Sequence, residues 1–166
     1  MSSSDRPRPP SRRAALLGFA ALAGCGFAPV YGPDSAALAL RDSVAVDAPQ
    51  TVDGYRLRRA LEDRLGRAAP PAFRLSLSYD VTESATAITP GGTASRSTLA
   101  GVVRYALRAE GGEAVLVQGQ VDSFASYATT GTTVATRAAA EDARARLAMG
   151  LADLLVTRLT LSAPGR

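Results

Sequence analysis

Hydrophobic and polar positions alternate through three long stretches of the chain, residues 72–88, 96–110 and 113–129. In the first, Leu75, Leu77, Tyr79 and Val81 fall on one side and Arg74, Ser76, Ser78, Asp80 and Thr82 on the other. That is the period-two pattern of a strand with one buried face. In the second, Leu99, Val103, Tyr105 and Leu107 point inward and Arg96, Arg104 and Arg108 outward. In the third the alternation slips between Val121 and Phe124, which predicts an irregularity there. Gly111-Gly112 predicts a tight hairpin turn, and "TPGGTAS" (89–95) a turn or mobile loop.

The period changes on either side of these strands. "SVAVDA" (43–48) is a short alternating strand that Pro49 ends. In "GYRLRRALEDRLG", Leu57, Leu61 and Leu65 recur at helical spacing, with Asp53 as the expected N-cap and Gly66 as the stop. Residues 136–160 predict a long helix whose stripe is Ala148, Leu151, Ala152, Leu155 and Leu159, weakened slightly by Gly150. The order β-α-β-β-β-α predicts an α+β fold: an antiparallel or mixed sheet of about four strands with two helices packed on one face. One domain is expected over 43–162, followed by a short tail at 163–166.

The N-terminal segment does not belong to that pattern. Residues 1–13 are polar, proline-rich and basic, and residues 14–23, "AALLGFAALA", are apolar and uncharged. Gly24 and Cys25 follow, the order of a secretory signal over residues 1–24. The apolar run is about half of the ~20 residues that span a bilayer, so a permanent transmembrane helix is not expected. "LAGC" resembles the bacterial lipobox, which implies cleavage between Gly24 and Cys25, a diacylglycerol on the Cys25 thiol and an acyl chain on its new amino group. Several chains anchor a domain stably, at ~0.8 kcal/mol per buried CH₂, where one does not. "SRRAALL" fits either a twin-arginine signal or an ordinary basic leader. Gly26 after the cysteine favours the outer membrane, by resemblance. Residues 25–42 then read as the lipidated N-terminus and a tether that docks partly on the domain.

Charge and composition narrow the function classes. The net charge is +4, but the four arginines before residue 25 stand against Asp5 alone, so the remainder carries only +1. A nucleic-acid partner is therefore not expected once the leader is removed. There is no histidine and a single cysteine, so the usual Cys/His metal sites, a histidine relay and an internal disulfide are excluded. The absence of lysine excludes a Ser–Lys mechanism. Glu62-Asp63 and Glu141-Asp142 are neighbours that point about 100° apart on helices, so neither makes a carboxylate dyad. No catalytic residue, metal or cofactor is expected. The outward sheet face, rich in Ser and Thr with Arg74, Arg96 and Arg104, admits three readings: a solvated face, a site for an anionic or sugar-bearing ligand, or a surface that enters a polar barrel lumen.

Taken together, "LAGCGFAPVYG", "SVAVDAPQTVDGYRLRRALEDRLG", three alternating strands and a long C-terminal helix resemble the LPS-assembly lipoprotein family, LptE, over nearly the whole mature chain. The resemblance implies a lipoprotein held in the inner leaflet of the outer membrane, facing the periplasm. It further implies a plug inside the LptD β-barrel translocon that assists its assembly and the delivery of lipopolysaccharide, without catalysis. Cys25 carries over as the lipidation site. Arg96 and Arg104, chosen from alternation and charge, are the candidates for lipopolysaccharide phosphates. The alternative is a periplasmic lipoprotein that binds or scaffolds another lipid or envelope component.

Overall fold

The computed structural model describes residues 36–88 and 94–162. Gly24, Cys25, the leader, most of the tether, the loop at 89–93 and the tail at 163–166 lie outside the described residues. The elements are α1 (Ala36–Leu40), β1 (Val44–Asp47), α2 (Val52–Leu65), β2 (Phe73–Ile88), β3 (Ala94–Ala109), β4 (Val115–Ala128) and α3 (Thr133–Ser162). The expected order is present, preceded by one short helix where only tether was read. Leu40 at its end is buried in the core, so this turn docks on the domain.

The four strands form one sheet in the order β1-β2-β3-β4. β2, β3 and β4 are antiparallel neighbours, while β1 pairs parallel to β2, so the sheet is mixed. A parallel neighbour needs a crossover connection, and α2 supplies it. The turn after β3 is the expected hairpin, with Gly111 at φ 73 and the Gly112 N–H donating to the Ala109 carbonyl at 3.0 Å.

Helix boundaries depart slightly from the sequence pattern. α2 is capped by Thr51, whose side chain accepts from the Gly54 N–H at 3.0 Å, and not by Asp53. Asp53 lies inside the first turn and is held instead by two arginines. Gly66 ends the helix as expected: it sits at φ 80 and its N–H returns to the Glu62 carbonyl at 2.9 Å. α3 starts at Thr133, with Thr132 accepting from the Ala135 N–H at 3.2 Å, and it is longer than the 136–160 expected.

The core lies between one face of the sheet and the helices. Leu57, Leu61 and Leu65 of α2 meet Leu147, Leu151, Leu155 and Leu159 of α3 over Leu75, Leu99, Val103 and Leu107. Each fully buried leucine contributes about 1.5–3 kcal/mol. α3 presses against Gly101, where a Cβ would stand 2.9 Å from Leu151 Cδ1.

The expected irregularity at Val121–Phe124 is absent. The β3–β4 register runs unbroken from Arg96↔Ala128 to Leu107↔Val117. The alternation only looks broken because a small polar residue, Ser123, takes an inward position beneath Gly150 of α3, while Phe124 points outward and is 74% exposed. The real shift falls between Leu107 and Arg108, where Leu116 has no partner in the ladder.

Candidate functional site

With helices on one face, the opposite face of the sheet is bare among the described residues. It carries Ser76, Ser78, Asp80 and Thr82 on β2, Thr98, Val102 and Arg104 on β3, and Gln118, Gln120, Asp122 and Ser126 on β4. Most of these side chains are short and uncharged, and Thr98 and Ser126 hydrogen bond across the β3–β4 pair at 2.9 Å. Phe124 is the large apolar exception.

Arg96 and Arg104 both lie on this face and both are exposed. Arg104 makes a loose contact with Asp80 at 3.4 Å, and Arg96 has no ion pair among the described residues. They are eight residues apart on β3, roughly 26 Å along the strand. The structure thus sets them on one surface without bringing them together, and a single phosphate could not touch both. Arg74, toward the other end of the face, pairs with Glu110 at 2.7 Å.

Glu62, Glu141 and Asp142 of the acidic pairs each serve separate arginines. Glu62 takes Arg58 at 2.7 Å and Arg67 at 3.1 Å, and these bonds hold its carboxyl below the ordinary 4.5 despite some burial. Glu141 and Asp142 each pair with an arginine one helical turn away, Arg137 and Arg146. Asp153 bonds Arg64 of α2, which lowers its pKa and links the two helices.

A second polar cluster lies at the inner end of the sheet and was not visible from spacing. Asp53 accepts from Arg56 and from Arg144, both at 2.9 Å. Arg144 also reaches Glu83 at 3.6 Å, and the Tyr127 hydroxyl donates to Glu83. The cluster ties the start of α2 to α3, β2 and β4. Tyr79 lies near it, and burial, reinforced by the Asp53 charge, pushes its hydroxyl up to about 12.

The other feature missed from sequence is a groove of about 720 Å³ along β1. Tyr55, Arg58, Arg59 and Glu62 of α2 form one wall, Arg67 and Ala68 one end, and Arg74 lies beyond the strand. The density of arginine in "YRLRRALEDRLGR" was a legible signal, but which of its faces meets the edge of the sheet depends on the packing of α2.

Comparison with known proteins agrees with this architecture. No curated relative matches the chain. Among solved structures, a candidate lipoprotein of Caulobacter crescentus is 25% identical, with a TM-score of 0.64 over 76% of this chain and 93% of that one. The minor lipoprotein of Acinetobacter baumannii (15% identical, TM-score 0.55) covers 75% of this chain and 96% of its own. Rare lipoprotein B of Shewanella oneidensis (18% identical, TM-score 0.51) covers 70% and 91%. These last two share the fold. The family model for lipopolysaccharide assembly, LptE, matches residues 41–159, from the end of α1 to the last buried leucine of α3. That match takes in every strand of the sheet and both packed helices, and the chain belongs to the LptE family of lipopolysaccharide-assembly proteins.

Proposed function

We propose that the chain is an outer-membrane lipoprotein, anchored through acyl chains on Cys25, that plugs and helps assemble the LptD β-barrel and assists lipopolysaccharide delivery to the outer leaflet. The observation that carries this reading is the family match across the whole α+β domain. The bare outer sheet face supports it. A surface of Ser, Thr and Gln with scattered arginines suits the polar interior of a large barrel better than an apolar environment. The role is one of binding and assembly, with no bond made or broken by this chain.

In the same reading, Arg96 and Arg104 meet anionic groups of lipopolysaccharide separately, since they stand too far apart to share one. Guanidinium suits such groups because its fixed fork of donors binds phosphate bidentately. The test is a mild-detergent pull-down of the tagged mature protein from its native envelope, with mass spectrometry of what is retained. A stoichiometric large outer-membrane barrel is the expected result, with lipopolysaccharide binding reduced in Arg96→Glu and in Arg104→Glu. Confirmed acylation at Cys25 without a barrel would sink the plug and leave a lipoprotein that serves another lipid or envelope component.

A further inference from the structure

The two edges of the sheet are unlike. At β1, four residues long, Val44 and Val46 are buried, which leaves little backbone open. β4 forms the other edge and is 14 residues long. The Thr129 N–H bonds the Ser95 carbonyl at 3.1 Å, one step beyond the Arg96↔Ala128 pair. In an antiparallel ladder, hydrogen-bonded and non-hydrogen-bonded pairs alternate. With the register unbroken, the odd-numbered residues from Val117 to Tyr127 therefore bond β3. The even-numbered ones, Gln118, Gln120, Asp122, Phe124 and Ser126, turn their N–H and C=O groups away from the sheet. The Ser126 carbonyl accepts from Arg146 of α3 at 3.3 Å, as that direction requires. Gln118, Gln120, Asp122 and Phe124 are exposed, and among the described residues no hydrogen bond takes up their backbone groups.

This edge lacks the usual protection. Natural edge strands are blunted by shortness, lysine, proline or a bulge. From Val117 to Ala128, β4 has no proline, no basic residue and no register shift, and Asp122 is its one charge. Exposed apolar side chains stand on both sides of it. Phe124 lies on the outer face. On the inner side α3 passes with Gly150 over Ser123, and Leu154, one helical turn on, is 43% exposed.

We propose that the edge of β4 takes an extended segment of a second protein as a fifth, antiparallel strand, with a basic residue opposite Asp122. Backbone pairing with the run from Gln118 to Phe124 supplies the affinity. Side chains of an added strand alternate between the two faces. Those on the outer face lie opposite Phe124, Asp122 and Gln120, which suits an apolar, a basic and a small polar residue in that order. Those on the inner face lie opposite Ser123 and Val121, beside the flank of α3 that carries Leu154, which suits β-branched residues. A second copy of this chain fits less well. Antiparallel self-pairing from Gln118 to Ser126 centres on Asp122 and sets that carboxylate against its own copy, which like charges disfavour. The inference goes beyond the barrel reading and does not rest on it: it concerns an edge and a linear segment, whatever larger body that segment belongs to.

The test uses the isotope-labelled full chain and a blocked heptapeptide, Thr-Tyr-Val-Arg-Val-Thr-Thr, followed by NMR shifts and amide exchange. The expected result is saturable binding with a Kd of about 1 mM or tighter. Exchange should slow at the Gln120, Asp122 and Phe124 amides and stay unchanged at Val121 and Ser123, which already bond β3. The same peptide N-methylated at its tyrosine and arginine cannot donate to the edge and should not bind. Glutamate in place of the arginine should weaken binding by about fivefold, and so should Phe124→Ser, with little change in the urea midpoint because that side chain is exposed. The proposal is overturned by no binding at millimolar peptide, by shifts without protection of the even-numbered amides, or by equal binding of the N-methylated or the glutamate peptide. It is equally overturned if Phe124→Ser changes nothing, or if self-association protects the same amides without peptide.

Discussion

Two glycines inside helices make opposite predictions for the same chemical change. In an isolated helix, Gly→Ala is worth about 1 kcal/mol in favour of alanine. At Gly54, in the first turn of α2, a Cβ would stand 2.1 Å from the Pro49 carbonyl oxygen and 3.1 Å from Thr51 Oγ1. Ordinary contact begins near about 3.5 Å, so the Pro49 carbonyl would have to retreat by roughly 1.4 Å. It is not free to do so, since it accepts from the Thr51 N–H at 2.8 Å, and Thr51 in turn caps the helix. Losing the cap costs about 1 kcal/mol and crowding about 1–3. Set against the propensity gain, Gly54→Ala should destabilise the domain by roughly 1–3 kcal/mol. At Gly150 of α3 a Cβ meets only Ser123 Oγ, at an unstrained 3.5 Å, and Gly150→Ala should stabilise by roughly 0.5–1 kcal/mol. Urea unfolding followed by circular dichroism reads both as shifts of the midpoint at constant slope. A Gly54→Ala protein at or above the wild-type midpoint would refute the reasoning, because no close approach of the β1–α2 turn would then be required.

Three further outcomes follow from the same packing. Leu151→Ala removes a fully buried side chain between α3 and β3 and should cost about 2–5 kcal/mol, whereas Val134→Ala, at a position 79% exposed, should stay within about 0.5 kcal/mol in the same unfolding assay. Because Arg58 and Arg67 hold the Glu62 carboxyl below 4.5 in the folded state, its contribution is present above that pH and is lost as the pH falls through the lowered value. Stability measured against pH should therefore drop on the acid side, and Glu62→Gln should flatten that limb while leaving its slope near neutrality unchanged. Tyr79 should remain un-ionised in the native protein until about pH 12, and the Tyr127 hydroxyl, bonded to Glu83, is also raised, so ultraviolet titration should show late phenol ionisation that Tyr79→Phe diminishes without abolishing.

Alternation made the sheet legible because one face of β2 and β3 is buried and the other is not. Leu75, Leu99, Val103 and Leu107 are inward as their spacing required. The stripe on α3 was legible for the same reason at helical period. What local pattern could not supply was the identity of long-range partners. Asp53 looks like a cap by position, but its carboxylate serves Arg144, 91 residues away, and Thr51 takes the cap. Ser123 and Phe124 read as a slipped strand because polarity was used as a proxy for direction. A serine can face inward where a helix glycine leaves it room, and a phenylalanine can face outward where nothing covers it. The parallel pairing of β1 and its groove were likewise hidden, since they arise from the crossover through α2 and not from any run of residues. As for the candidate site, Arg96 and Arg104 were placed on the correct face, but their separation along β3 is a matter of register. Cys25, the most specific signal in the sequence, lies outside the described residues.

The junction at the beginning of the domain has a mechanical meaning. Any tension that arrives along the chain from its N-terminal side enters between Leu40 and Asp47. There the grip consists of buried Leu40, the Asp42 N–H bonded to the Leu65 carbonyl, and a four-residue edge strand zipped to β2 with Val44 and Val46 buried in the core. A pull across such an edge loads its bonds one after another, while a pull along it loads them together. The direction of the load thus decides whether this grip peels open or holds, and the rest of the sheet, tied through the β2–β3 and β3–β4 ladders, is not the first part to feel it.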